Sequence, residues 1–227
     1  MFEPLPDRRF GIIYADPPWD YGGRRQHDSG DYQKRKDGSP AIGVRESGGA
    51  DVHYPTVKLD DLRRLDVASI AAPDSLLFMW ATSPLLDQAI DLLKFWEFQY
   101  VTVGFVWDKR RPNPGYYTMS RCELCLIGKR GKIPQPRGAR NVRQLVQAKR
   151  GRHSAKPDEV RRRIVEMFPH HDRIELFSRV ACDGWEHWPR VRVETEEHSG
   201  GRSGGDCQLI GQLPLMAADV HTRTRKT

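Results

Sequence analysis

The chain has 227 residues, 38% hydrophobic and 30% charged, with 37 Lys and Arg against 30 Asp and Glu, a formal net charge of +7 and a pI near 9.4. That length supports one sizeable domain, and no apolar run approaches the roughly 20 residues of a membrane span, which sets aside a membrane-embedded protein. Four cysteines are too few for a dense disulfide framework in a chain this long, so a soluble protein of a reducing, cytoplasmic compartment with an anionic partner is expected.

In chain order, the apolar run Phe10 to Ala15 predicts a buried strand ending at Asp16-Pro17-Pro18-Trp19. A strand that delivers a carboxylate to the carboxyl edge of a sheet places it where open α/β proteins bind ligands. Asp16 can accept a hydrogen bond from an exocyclic amine, and the carbonyl of Pro17 is a second acceptor beside it. Trp19 offers a flat face for stacking a nucleobase, worth roughly 1–3 kcal/mol per base. The polar stretch from Asp20 to Val52 predicts a long active-site loop, read as a lid. Thr56 to Leu65 follows as a short helix, and Leu76 to Ala81 as a second apolar strand. Ser83 and Pro84 predict a helix start, and Leu85, Ala89, Leu92, Leu93 and Trp96 recur on one helical face.

Val101 to Trp107 and Glu123 to Ile127 predict two further strands, the second short. Cys122 and Cys125 have the spacing of a zinc knuckle, but no second pair follows and no metal is expected. From Asp108 to Arg163 there are 17 Lys or Arg against 4 Asp or Glu, a concentration beyond the needs of solubility. Lys156-Pro157-Asp158-Glu159 opens a helix whose buried face is Val160, Ile164, Met167 and Phe168, with Arg161, Arg162 and Arg163 directed largely away. Asp172 to Phe177 is the last strand. Strands alternating with helices predict an α/β fold with a parallel-rich sheet. The domain is expected to span 1–188, with the active-site loop at 20–52 and a basic substrate-binding region at 108–152; 189–227 reads as a flexible tail.

Once these elements are placed, the chain resembles the adenine-N6 methyltransferase family typified by the catalytic subunit of the mRNA adenosine methyltransferase. The resemblance rests on an ordered set: Ala15-Asp16-Pro17-Pro18-Trp19-Asp20, Tyr54-Pro55-Thr56, Leu77 to Thr82, Trp107-Asp108-Lys109, Glu123 to Gly131, His153 to Glu159, and Ile174 to Arg179 with Gly184-Trp185 and Trp188. It implies a Rossmann-like methyltransferase sheet in circularly permuted motif order, with S-adenosylmethionine as cofactor. By resemblance the catalytic set is Asp16, Pro17, Pro18 and Trp19. The cofactor set is Asp16, Lys156, Glu175, Phe177, Arg179 and Trp185, with Lys156 on the methionine carboxylate and Arg179 near the ribose.

Tyr21, Tyr54, Lys109, Tyr116 and Tyr117 complete the expected site as contacts to nucleic acid, the aromatic residues meeting bases and the basic stretch tracking phosphates. One departure from the family pattern is clear: Trp188-Pro189-Arg190-Val191 stands where members commonly carry Trp-Gly-Asn-Glu, so either side chains such as Glu175, Trp185 or Arg190 supply the adenosine contacts or cofactor affinity is weak. The compact length resembles bacterial and phage members and favours DNA over RNA, in a chain that is a monomer or part of a homo- or hetero-dimer. Two alternatives stand beside the DNA enzyme: a catalytically inactive nucleic-acid-binding subunit and an RNA adenosine methyltransferase.

Overall fold

The computed structural model describes residues 2–20, 56–115, 117–151, 155–178, 180–189 and 208–209. The expected lid lies outside the described residues apart from Asp20, as do Tyr21, Tyr54, Tyr116, Arg179 and Arg190.

Strand β1 (Phe10–Ala15) lies in the interior of a seven-stranded sheet, parallel to β2 (Ala71–Ala81), the middle strand, on one side and to β6 (Arg173–Leu176) on the other. Outside β6 runs β8 (Glu186–Trp188), also parallel. On the other flank, β4 (Met119–Arg130) pairs antiparallel with both β2 and β3 (Gln99–Pro114), and β5 (Leu145–Gln147) closes that edge parallel to β3. All strands but β4 therefore point the same way, and their carboxyl ends share one edge. The expected parallel-rich α/β architecture is what is found.

Side-chain parity on the two central strands explains the layers. Ile13, Ala15, Leu77, Met79 and Ala81 pack with Leu62 of α1 (Leu59–Arg63) and with Ala89, Leu92 and Leu93 of α2 (Leu86–Phe95). Ile12, Tyr14, Leu76, Phe78 and Trp80 form the other layer with Val160 and Ile164 of α3 (Asp158–Met167) and with Phe168. A strand buried on both faces has no polar position to give up, which is why β1 reads as an unbroken apolar run. Five buried tryptophans each use the indole N–H as a donor: Trp19 to the Trp80 carbonyl, Trp80 to the Tyr14 hydroxyl, Trp96 to Leu62, Trp107 to Ala148 and Trp188 to Pro4.

Several expectations need correction. Strands β3 and β4 are far longer than the apolar runs 101–107 and 124–127, because their outer portions form a polar hairpin that hydrophobic patterning does not register. Arg161 does not point away from the domain: its guanidinium is buried against Glu175, and Arg163 lies across the carbonyls of Arg143 and Leu145. Within the expected tail, Gln208–Leu209 forms β9, antiparallel to β7 (Val180–Ala181). A strand sends residues i and i+3 to opposite faces, so Cys122 is exposed and Cys125 buried, both as free thiols, and burial pushes the Cys125 thiol well up. Cys182, by contrast, is disulfide-bonded. No helix among the described residues is long and apolar enough to cross a membrane.

Ile164 is fully buried where α3 seals the sheet. Ile164→Ala should cost about 2–4 kcal/mol of unfolding free energy. Urea titration checks this; a loss below about 1 kcal/mol would mean that α3 is not part of the cooperative core.

Candidate active site

At the carboxyl edge, β1 runs directly into Asp16, which continues the parity of Ile12 and Tyr14 and so falls on the α3 side of the sheet. Lys156, just ahead of α3, meets it there. Its ammonium lies 2.7 Å from both carboxylate oxygens of Asp16 and 3.5 Å from Glu123 on β4. Glu123 also receives Lys109 of β3 at 2.8 Å. Four charged groups thus form a chain, Asp16–Lys156–Glu123–Lys109, whose formal charges cancel. The Lys156 and Lys109 side chains are only 11% and 8% exposed, and their ammoniums sit 5.6 and 5.9 Å from the ring centroids of Trp80 and Trp107.

Burial would raise the Glu123 carboxyl, but the ammoniums of Lys156 and Lys109 outweigh it and hold the group below the ordinary carboxylate range. Beneath this chain, Glu175 of β6 accepts from Arg161 at both oxygens, at 2.8 and 2.9 Å, and the guanidinium lies 5.7 Å from the Tyr14 ring centroid. Burial also drives the Tyr14 hydroxyl well above the ordinary phenol range, so it stays protonated and accepts the Trp80 N–H as a neutral group. At the outer flank, Asp108 is clasped by Arg121, with the Arg110 N–H on the same carboxylate, and these hydrogen bonds lower it to about 2.

The structure brings together only part of the expected set. Asp16 and Lys156 are in direct contact. Pro17 lies beside them, its carbonyl accepting the Trp19 N–H at 2.9 Å and keeping one lone pair. The Pro18 carbonyl accepts from Val57, which ties the turn to the chain leading into α1. Trp19 is 6% exposed and packed into the α1 and α2 layer, so its ring is a wall of the site and not an open stacking face. The turn after Pro18 directs the indole inward, where the Trp80 carbonyl takes its N–H.

Lys109 likewise faces inward onto Glu123 and is not on an exposed phosphate path. Glu175 and Trp185 lie in the α3 layer at the level of Tyr14, below the edge, with both Glu175 oxygens engaged by Arg161. Phe177 is at the edge, in a turn with φ of 63°, its ring 5.5 Å from that of Trp188. Ser178 follows, fully enclosed, with its hydroxyl 3.1 Å from the half-buried His187 imidazole, whose pKa burial pushes down. Tyr117 is wholly exposed.

Sequence reasoning missed the linking role of Glu123. The signal was present: Glu123 precedes buried Cys125 by two residues on one strand, and Lys109 stands two beyond buried Trp107 on its neighbour, so both polar groups must share the α3 face.

The MT-A70 family model matches residues 10–190. The chain is 50% identical over 188 residues to a type II methyltransferase, M.MunI, of a Mycoplasma species, covering 83% of this chain and 80% of that protein. It is 26% identical over 187 residues to an N(6)-adenosine-methyltransferase MT-A70-like protein of Arabidopsis thaliana, 78% of this chain and 23% of that one. Against the human N(6)-adenosine-methyltransferase catalytic subunit METTL3 the identity is 25% over 179 residues, 75% of this chain and 26% of that one. The chain therefore spans about a quarter of these two longer relatives.

Glu123→Gln removes the carboxylate between two buried ammoniums and should cost about 3 kcal/mol at neutral pH. Because the Glu123 carboxyl is depressed in the fold, its contribution is present above the unfolded value of about 4.3 and is lost as pH falls through the folded value. The stability gap between wild type and Glu123→Gln should accordingly be constant from about pH 8 to 5 and close at lower pH. Denaturant titrations across that range test it, and a gap independent of pH down to pH 3 would contradict the ionised carboxylate.

Proposed function

Because the chain belongs to the MT-A70 family, we propose that it transfers a methyl group from S-adenosylmethionine to the N6 amine of adenine in nucleic acid, with DNA favoured over RNA. The observation that carries this reading is the Lys156–Asp16 pair at the carboxyl edge, with the Pro17 carbonyl beside it. DNA stands ahead of RNA because the relative at 50% identity carries a type II designation, which belongs to DNA modification, whereas the relatives named for N(6)-adenosine are at 25 to 26%. The order of strands, with the Asp-Pro-Pro strand first in the chain and interior in the sheet, supports a circularly permuted methyltransferase arrangement.

The side chains fit the cofactor's amino-acid end. That end is a zwitterion, and the site offers one buried cation and one carboxylate in contact: Lys156 would receive the carboxylate, and Asp16 the ammonium. Phe177, and Arg179 just beyond the described turn, complete the expected cofactor side by family resemblance. Glu175 and Trp185 support it from below, through Arg161 and Tyr14. S-adenosylmethionine supplies, when bound, a methyl group on a sulfonium that is already electrophilic.

What remains for the protein is alignment and charge. The adenine N6 lone pair is delocalised into the ring. Two acceptors, a carboxylate oxygen of Asp16 and the remaining lone pair on Pro17, pull the amine toward tetrahedral geometry and favour the positive charge that grows on nitrogen. Pro18 and Trp19 hold those acceptors in place through the Val57 and Trp80 contacts. Glu123 fixes Lys156 from the opposite side, and Lys109 fixes Glu123, so the two lysines act as positioning groups for the Asp16 carboxylate. An adenine inside a duplex cannot reach this edge, so the target is single-stranded or turned out of the helix.

Asp16→Ala should lower methyl transfer at least about 100-fold while the protein stays folded. Nucleoside mass spectrometry after incubation with matched single-stranded and duplex DNA and RNA measures this, along with base, atom and nucleic-acid type. Wild-type activity in the variant would reject the role of Asp16. Lys156→Ala should weaken S-adenosylmethionine binding about 10- to 100-fold by calorimetry, the fold-change of one charge-assisted hydrogen bond. Unchanged affinity would remove Lys156 from the cofactor site, and a wild-type chain that binds no cofactor would favour the inactive binding subunit.

A further inference from the structure

We propose that the outer part of the β3–β4 hairpin enters duplex DNA beside Asp16, and that Tyr117 at its tip takes the stacking place vacated when the target adenine turns out of the helix. The inference rests on the adenine-N6 reading above and adds how the base is reached.

Four observations lead to it. The first is reach. Leu124 pairs with Ala81, the last residue of β2, so β4 from Glu123 back to Met119, with its partner on β3, lies past the carboxyl edge of the central strands. Five residues at about 3.3 Å each carry β4 about 17 Å past that edge, more than the roughly 8.5 Å depth of the major groove. The second is exposure. β5 flanks β3 only at Val106–Asp108 and β2 ends at Ala81, so beyond Asp108 the ribbon is two-stranded, with Arg150 reaching the Asn113 side chain on its β3 edge. Tyr117 is 101% exposed and Met119 60%, an aromatic and a thioether held in water with no packing to explain them.

Third is charge: Lys109 to Cys122 holds four Lys or Arg and no Asp or Glu, with Arg110 and Arg111 exposed. Like charge disfavours a second copy of the same ribbon, and Pro112 and Pro114 deprive its free edge of N–H donors for an added strand. A polyanion with stacked, apolar bases satisfies both the cations and the exposed ring. The major groove admits a two-stranded ribbon of this kind.

The fourth observation is rigidity. The ribbon is anchored at its root by the Asp108–Arg121 ion pair and by Lys109 on Glu123, the same Glu123 that contacts Lys156. At its tip, the Gly115 N–H donates to the Thr118 carbonyl at 3.0 Å. A Cβ on Gly115 would fall 2.4 Å from the Ser120 hydroxyl and 2.6 Å from that carbonyl, so the turn closes only with glycine there. Tyr117 is therefore presented at the end of an arm whose base is the charge chain of the active site and whose β3 strand bulges between Asp108 and Asn113. Side chains that wedge between base steps and hold a duplex open are apolar or aromatic groups so delivered.

The full-length chain and its Tyr117→Ala, Tyr117→Trp and Met119→Ala variants are compared on a random-sequence DNA pool, once as duplex and once as single strands, with N6-methyladenine read by nucleoside mass spectrometry. Tyr117→Ala should lose roughly 10- to 100-fold of methylation on the duplex pool and less than about 2-fold on single strands. Tyr117→Trp should restore the duplex activity and Met119→Ala should lose an intermediate amount. Equal losses on both pools, or none on either, overturn the wedge. So does a wild type active on single strands alone, or a Tyr117→Ala change that dissolves a dimer without altering the ratio of duplex to single-strand activity. A wild type that methylates neither pool overturns the adenine-N6 reading itself, and this inference with it. Because Tyr117 touches no core residue, the variants should melt with wild type, which separates a wedge from a folding defect.

Discussion

The ion pair between Lys156 and Asp16 is the contact on which the rest of the site depends. It joins the residue that follows β1 to the segment that begins α3, two parts of the chain 140 residues apart, across the carboxyl edge of the sheet. Neither group would be tolerated there alone. A buried ammonium or carboxylate without a partner is far more costly than a neutral group of the same size, and the pair is sustained by continuation through Glu123 to Lys109. The chain of four charges is as much a condition for the edge being enclosed as a device for chemistry.

The location of that chain follows from the pleat. Ile12, Tyr14 and Asp16 fall on one face by alternation, and so do Phe78 and Trp80, Trp107 and Lys109, and Cys125 and Glu123. On each strand the apolar members lie deeper and, on three of the four, the charged member lies nearest the edge. The α3 layer is thus a hydrophobic core with a polar rim, closed at its top by Lys156 and pinned below by Arg161 on Glu175. The opposite layer, under α1 and α2, is the apolar cluster into which Trp19 folds.

How much of the fold is legible in the sequence follows from which elements bury apolar side chains. β1, β2, α2, α3 and β6 were legible because each buries a periodic apolar set. Asp16 was legible because a carboxylate that closes a buried apolar strand is costly to desolvate unless a partner or a ligand meets it. The outer hairpin was not, since a two-stranded ribbon in water has no hydrophobic period to betray it, and its pairing is fixed by Gly115 and the Asp108–Arg121 clasp. An aromatic ring and a lysine in a ligand-binding motif suggest contact with ligand, yet Trp19 and Lys109 turn inward. Their inward orientation depends on partners from distant segments, the Trp80 carbonyl and Glu123, that no local pattern reveals. Arg161 was misplaced for the same reason, its partner Glu175 lying on another element.

A chain that served only as a binding scaffold would have no need of the charged rim. Replacing a buried ion network with well-packed apolar side chains is commonly neutral or stabilising, so stability gives little reason for two lysines and two carboxylates at the top of a core otherwise built from Tyr14, Trp80, Trp107 and Cys125. Specific pairing of strands is an equally poor reason, since β1, β2, β4 and β6 already have registers set by their alternation and length. What the rim provides that an apolar one cannot is a fixed carboxylate with defined hydrogen-bonding capacity beside a fixed ammonium, at the place where parallel strands end. That capacity has a use only if a polar ligand arrives to employ it, which is why the Lys156–Asp16 pair weighs toward an enzyme.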